Sequence, residues 1–180
     1  KSIEAINLLW NREHSAAQEA LTIIDMVIKG GAAMVFHGMS EDDVKSIMQY
    51  PFNMVASDGG IRVFNEGSPH PRSYGTNARV LGKYVREEKI LSLEEAIRRM
   101  TSLPAQKFHL TDRGLLREGF AADIVVFDPV TVTDKSAYES PHQYSTGFKY
   151  VLVNGKLTVE NEKHTGITNG TILYGPGKKK

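Results

Sequence analysis

Two short stretches hold residues whose types and spacing could do chemistry. In the first, Asp58 follows the apolar run Met54-Val55-Ala56 and sits within Ser57-Asp58-Gly59-Gly60. A carboxylate within hydrogen-bond reach of a reacting group is a proton carrier. The same tetrapeptide is also an ordinary turn, since Asp and Gly favour turns for local backbone reasons. In the second stretch, His70-Pro71-Arg72, the guanidinium of Arg72 offers bidentate geometry to a carboxylate. The bland alternative is that His70 and Arg72 order their loop through backbone carbonyls. His37 follows the apolar run 34–36, either lining a pocket or packing within the fold. His14, His109, His142 and His164 have no metal-ligand spacing with one another and are read as structural or exposed. Trp10, Tyr74 and Tyr84 are read as core or interface residues. The chain has no cysteine, which removes disulfides, thiolate metal sites and a cysteine nucleophile, and leaves the redox compartment open.

These residues need elements to position them. Residues 16–28 carry Ala17, Ala20, Leu21, Ile24, Val27 and Ile28 at the period of an amphipathic helix. Gly30-Gly31 stops it. The apolar run 34–36 reads as a short strand. Ser40-Glu41-Asp42-Asp43 then opens a second helix with Val44, Ile47 and Met48 inward, ended by Tyr50-Pro51. The run 54–56 reads as another strand. Helix, strand, helix, strand in quick succession predicts a parallel α/β unit, whose strands are apolar throughout because both faces are covered. Residues 57–73 have loop composition. Helix resumes near Tyr74 and runs to about Glu88, with Lys83 to Lys89 forming a solvated charged face. Ser92-Leu93-Glu94-Glu95 is a capping box for a further helix, closed by Leu103-Pro104. Beyond about residue 113 strands replace helices: 124–127, 150–153 and 156–159. Asn154-Gly155 between the last two is a hairpin signal.

The length of 180 residues is about one domain's worth. Lys and Arg number 22 against 21 Asp and Glu, a net charge of +1 that gives no footprint for nucleic acid or an anionic membrane surface. Apolar runs are too short to span a bilayer. Neither half closes a sheet by itself. About two parallel strands in one part and three or four strands in the other leave edges unpaired.

Ordered stretches along the chain resemble the N-acyl-D-amino-acid deacylase (D-aminoacylase) family of the metal-dependent amidohydrolase superfamily, specifically its C-terminal third. They are Val35-Phe36-His37-Gly38-Met39-Ser40-Glu41-Asp42-Asp43-Val44, Ser57-Asp58-Gly59 and His70-Pro71-Arg72-Ser73-Tyr74-Gly75-Thr76. They continue with Arg79-Val80-Leu81-Gly82-Lys83-Tyr84-Val85-Arg86-Glu87, Leu93-Glu94-Glu95-Ala96 and Met100-Thr101-Ser102-Leu103-Pro104-Ala105. The run 119–129, Pro141-His142 and Val151-Leu152-Val153-Asn154-Gly155 complete the series. Asn77-Ala78 departs from the family's usual aromatic-proline pair. The loop 61–66 lies outside the aligned stretches and borders the expected pocket.

The resemblance implies an α/β fold: the last strands and helices of a (β/α)8 TIM-type barrel over 1–112, then strands of a small β-sandwich domain over 113–172, with a flexible tail at 173–180. The runs 34–36 and 54–56 become about the seventh and eighth barrel strands. Barrel chemistry sits at the C-terminal ends of strands, and Asp58 takes that position. It is implied as the catalytic general acid/base of amide hydrolysis and as a possible metal ligand or neighbour. Arg72, His70, Ser57 and Gly59 are the implied substrate-binding residues, Arg72 facing the free carboxylate of an N-acyl-D-amino acid. The implied cofactor is zinc, which activates water and polarises a carbonyl, with most ligands upstream of this chain. The implied partner is the N-terminal part of the same enzyme, in the cytoplasm, and the piece alone is expected to be inactive. The rival readings are a hydantoinase-like or dihydroorotase-like enzyme acting on cyclic amides, and a non-catalytic module.

Overall fold

The computed structural model describes residues 1–32, 34–36, 38–175 and 177. His37 and most of the last five residues, on which part of the sequence reading falls, lie outside the described residues. The chain divides into two compact units, Lys1–Ser40 and Glu41–Lys180.

The first unit is a helical hairpin. Helix α1 (Ile3–Leu9) starts at Ser2, whose hydroxyl accepts from the Ala5 amide. Helix α2 (Ala16–Ile28) starts at Ser15, which accepts from the Gln18 amide. Both caps satisfy a first-turn N–H that has no helical partner. The interior of the hairpin is polar. Thr22 donates to Asn7 Oδ1 at 2.7 Å, and Asn7 Nδ2 donates to the Glu13 carbonyl at 2.7 Å. Arg12 donates to Thr22 Oγ1 at 2.9 Å and pairs with Asp25. Leu21, Ile24, Val27 and Ile28, the apolar stripe of α2, are exposed. Helix α1 is absent from the sequence reading, because seven residues show too little periodicity to register.

In the second unit α3 (Glu41–Gln49) comes first, and α4 (Arg72–Arg79) follows the 57–71 loop. Helix α4 runs on without a break as a π-helix over Val80–Glu87, with the Glu88 amide reaching back to the Lys83 carbonyl at 2.8 Å. The wider π-turn goes with close packing. A Cβ on Gly82 would stand 2.9 Å from the Val132 carbonyl oxygen. Helix α5 (Leu93–Met100) is capped by Ser92, which accepts from the Glu95 amide at 3.2 Å. Pro104 does not close α5. It lies inside a separate helix, α6 (Ser102–Lys107), in the first turn, where its missing N–H costs nothing.

The core is built by Ala78, Val80, Leu81, Tyr84, Leu91, Ala96 and Val132, with Ile97, Met100, Phe127 and Phe148 packed around it. Arg99 is buried beside this core. Its charge is met by Glu95 Oε1 at 2.6 Å, and it also donates to the Met48 carbonyl. Lys83 is drawn out of the expected solvated face into a pair with Glu41, which also accepts from the Tyr84 hydroxyl at 2.9 Å.

The strands form one antiparallel meander, β1 (Ile124–Phe127), β2 (Phe148–Val153), β3 (Lys156–Glu160) and β4 (Lys163–His164), in the order β1-β2-β3-β4. Val126 faces Tyr150, and Val153 faces Lys156. Asn154 and Gly155 take φ of +48° and +76°, the turn their sequence predicts. Asn161 and Glu162 repeat this at the short β3–β4 turn, without glycine.

The expected strands at 34–36 and 54–56 do not form. Both segments lack helix, and neither is paired into a sheet. Val35 is half exposed and Phe36 is 84% exposed. A strand is a property of a ladder, and its hydrogen bonds come from a neighbouring strand. Among the described residues neither segment has a strand paired with it. Val55 instead donates to the Arg99 carbonyl at 3.3 Å.

Candidate active site

The apolar segment 54–56 delivers the chain to Asp58, whose backbone takes φ +47°. Among L-residues, Asp and Asn tolerate this left-handed region best. Ser57 Oγ accepts from the Gly59 amide at 3.2 Å and tightens the same turn. Gly59 is fixed by proximity: an added Cβ would lie 2.8 Å from Ser73 Cα and 3.1 Å from the Arg72 carbonyl oxygen. The turn therefore presses against the start of α4, where Arg72 begins the helix.

From there Arg72 reaches back. Its Nε donates to the Asp58 carbonyl at 2.9 Å, and Nη2 pairs with Asp58 Oδ2 at 2.7 Å. The Asp58 side chain is nonetheless 84% exposed among the described residues. His70 supports Arg72 from behind. Its Nδ1 accepts the Arg72 backbone N–H at 3.0 Å, and its Nε2 lies 2.8 Å from the Tyr138 hydroxyl. A backbone N–H can only donate, so Nδ1 carries the lone pair and the neutral ring holds its proton on Nε2. Burial first, and then the positive charge of Arg72, hold the His70 imidazole below its usual pKa, which favours this neutral form.

A second histidine holds the far side of the loop. His142 Nδ1 accepts from the Asn65 amide at 3.2 Å and lies 3.0 Å from the Tyr74 hydroxyl, while Nε2 lies 3.1 Å from the Gly67 carbonyl. Phe64 stacks on Tyr144 with centroids 5.0 Å apart, and Tyr74 meets Tyr144 edge-on at 5.6 Å. Next to this aromatic group is an open cavity of about 340 Å³, lined by Gly59, Gly60, Ile61, Arg62, Ser73, Tyr74 and Tyr144.

The structure thus brings four predicted residues, Ser57, Asp58, Gly59 and Arg72, into one turn-and-helix junction, with His70 behind it. Tyr138, His142, Phe64 and Tyr144 escape the sequence reading as neighbours of the site. Tyr138, His142 and Tyr144 lie 80 to 86 residues from Asp58 in the chain and share no spacing with it, while Phe64 belongs to the 61–66 loop that borders the expected pocket. The one available signal was Pro141-His142, present among the resembling stretches.

As a metal site the described residues fall short. No group of three or more His, Cys, Asp or Glu side chains is placed to hold an ion among them. Asp58 offers a single carboxylate, already engaged by Arg72, whereas a zinc site takes three or four protein donors. Among the described residues no helix is long and apolar enough to cross a membrane.

The amidohydrolase family profile matches residues 14–159. The chain is 40% identical over 166 residues to N-acyl-D-glutamate deacylase of Alcaligenes xylosoxydans xylosoxydans, covering 85% of this chain and 33% of that protein. It is 42% identical over 146 residues to N-acyl-D-aspartate deacylase of the same organism, covering 81% of this chain and 28% of the relative. Among solved structures, N-acyl-D-glutamate deacylase from Bordetella bronchiseptica, complexed with zinc and a phosphonate mimic of the tetrahedral intermediate, superposes with a TM-score of 0.75. It is 39% identical and covers 88% of this chain and 31% of that one. The chain spans about a third of the length of the curated relatives it matches.

Proposed function

This chain belongs to the amidohydrolase family, and on that footing we propose that it is the C-terminal portion of a zinc-dependent hydrolase of N-acyl-D-amino acids. The reading takes 1–112 as the last part of a (β/α)8 barrel, 113–172 as a share of a small β domain and 173–180 as a tail. The segments 34–36 and 54–56 become paired strands when the N-terminal part of the enzyme stands beside them. A cytoplasmic location, which a cysteine-free chain permits, goes with this reading.

The observation that carries the proposal is the exposed Asp58 carboxylate held at the end of segment 54–56 by Arg72. In the reaction, a water oxygen forms a bond to the amide carbon and gives a proton to Asp58. The C–N bond then breaks, and the same proton passes to the leaving amine. The products are a carboxylate and a free D-amino acid. Arg72 uses Nε and Nη2 on Asp58, which leaves its Nη1 edge for the substrate carboxylate. Ser57 and Gly59 keep the turn in register, and His70 keeps Arg72 in place. The zinc of this reading takes its ligands mostly from outside this chain and, when bound, would supply water activation and carbonyl polarisation. The names of the similar deacylases support the substrate class.

The test is an assay of the enzyme that contains this chain on N-acetyl-D-amino acids, their L-enantiomers and hydantoins, with intact mass and zinc content measured on the same sample. Turnover of the D-substrates, about one or two zinc ions per complex and an inactive isolated chain are expected. Preferential turnover of hydantoins overturns the proposal in favour of a cyclic-amide hydrolase. A lone 20.0 kDa species without zinc or activity overturns it in favour of a non-catalytic module.

A further inference from the structure

The pair of Asp58 and Arg72 is tied to a segment far along the chain. Tyr138 lies between β1 and β2, and its hydroxyl meets His70 Nε2 at 2.8 Å, with the two rings edge-on at 5.0 Å between centroids. The other ring nitrogen of His70 accepts the backbone N–H of Arg72 at 3.0 Å. The Arg72 side chain then makes both contacts to Asp58. Tyr138, His70, Arg72 and Asp58 are thus connected in series, the link passing from the backbone of Arg72 to its side chain.

Two features make the line directional. The imidazole presents its Nδ1 lone pair to the Arg72 amide, which places the ring proton on Nε2, and a partner there holds the ring in that orientation. The Tyr138 hydroxyl, with its own lone pairs, is that partner. Further, Asp58 sits in left-handed backbone at φ +47°, a conformation that costs an L-residue free energy and persists where surrounding contacts hold it. Arg72 Nε on the Asp58 carbonyl is such a contact.

We propose that Tyr138 is a positioning residue: by anchoring the His70 ring at Nε2 it holds the Arg72 backbone, and through it the orientation of the Asp58 carboxylate. The activity arm of its test rests on the hydrolase reading above, while the exchange arm does not.

The test compares Tyr138→Phe, His70→Asn and His70→Gln in the complete enzyme containing this chain. Tyr138→Phe removes one hydroxyl and keeps the ring. Asn places an oxygen close to where Nδ1 stood, so it keeps an acceptor for the Arg72 amide without needing Tyr138, whereas Gln places its amide near the Nε2 position. Tyr138→Phe is expected to lower kcat/KM about tenfold and to speed hydrogen exchange at the Arg72 amide by a similar factor, with exchange in β2 and β3 unchanged. His70→Asn is expected to lose less activity than His70→Gln. In the His70→Asn background, Tyr138→Phe should cost less than twofold more. Unchanged Arg72 exchange in Tyr138→Phe overturns the proposal, as does an equal loss from Tyr138→Phe in both backgrounds. If Tyr138→Phe does not fold, the order of the two His70 variants decides, and Gln matching or exceeding Asn overturns it. A wild-type enzyme that hydrolyses no N-acyl-D-amino acid overturns the hydrolase reading alone, and amide exchange still decides the role of Tyr138.

Discussion

Arg72 grips Asp58 at two levels, with Nε on the backbone carbonyl at 2.9 Å and Nη2 on the carboxylate at 2.7 Å. One side chain therefore sets both the bend of the turn and the direction of its carboxylate. A flexible ammonium at the same position is a point charge and cannot reproduce the planar fork. Arg72→Lys is expected to lower kcat/KM of the intact enzyme by roughly 100-fold, the order that follows from displacing a reacting group by about 1 Å. Steady-state kinetics checks this, and a loss under threefold refutes the two-level grip.

Asp58 combines an unusual backbone with an exposed side chain, and the two can be separated. Asn tolerates φ +47° as Asp does, but it cannot carry a proton. Asp58→Asn should fold with an unchanged thermal midpoint while kcat falls by about 100- to 10,000-fold, the range for a lost general acid/base. A variant that retains more than a tenth of the activity removes Asp58 from the proton path.

Gly59 is required by closeness to α4 rather than by backbone freedom. An Ala methyl there would lie 2.8 Å from Ser73 Cα. That overlap must push the turn from the helix, at a strain of about 1–3 kcal/mol. Gly59→Ala should lower activity at least tenfold and raise proteolytic sensitivity within 57–73, with β1 to β4 unaffected. Limited proteolysis followed by mass spectrometry reads this directly.

Glu95 links the core to pH. Hydrogen bonds first from Arg98 and then from Arg99 pull its carboxyl down to about 2 from an ordinary 4.5. Folding thus favours the ionised form. The stabilisation is complete above about pH 4.5 and is lost as the pH falls towards 2. Glu95→Gln leaves the buried Arg99 guanidinium without its carboxylate. The variant should melt well below wild type at pH 7, with the gap closing between pH 4.5 and 2. Thermal melts across that range check it, and a gap independent of pH contradicts the assignment.

Elements whose cause is local are legible in the sequence. Helix α2 begins at the serine that caps it and ends at the glycines that follow it. The Ser92 cap and the turn at Asn154-Gly155 need only a few neighbouring residues, and both form as expected, although the Glu95 carboxylate of the capping box turns to Arg98 and Arg99. The helix before Glu88 began two residues early, at Arg72, and became π-helical from Val80. No periodicity rule anticipates that, because it accompanies packing against Val132. Segments 34–36 and 54–56 have the composition of strands, and composition cannot supply a paired neighbour.

The sequence by itself determined which residue types stand at the site and in what order: Asp58 in its glycine turn, His70 and Arg72 downstream, and the series of stretches that marks the amidohydrolase family. It could do so because each of these is written in adjacent residues. Only the tertiary structure decided that Arg72 turns back onto Asp58, that Tyr138 reaches His70 across 68 residues of chain and that His142 joins Tyr74 beside the cavity. Such contacts form when separate segments pack against one another, and their geometry depends on distances in space that spacing along the chain does not encode.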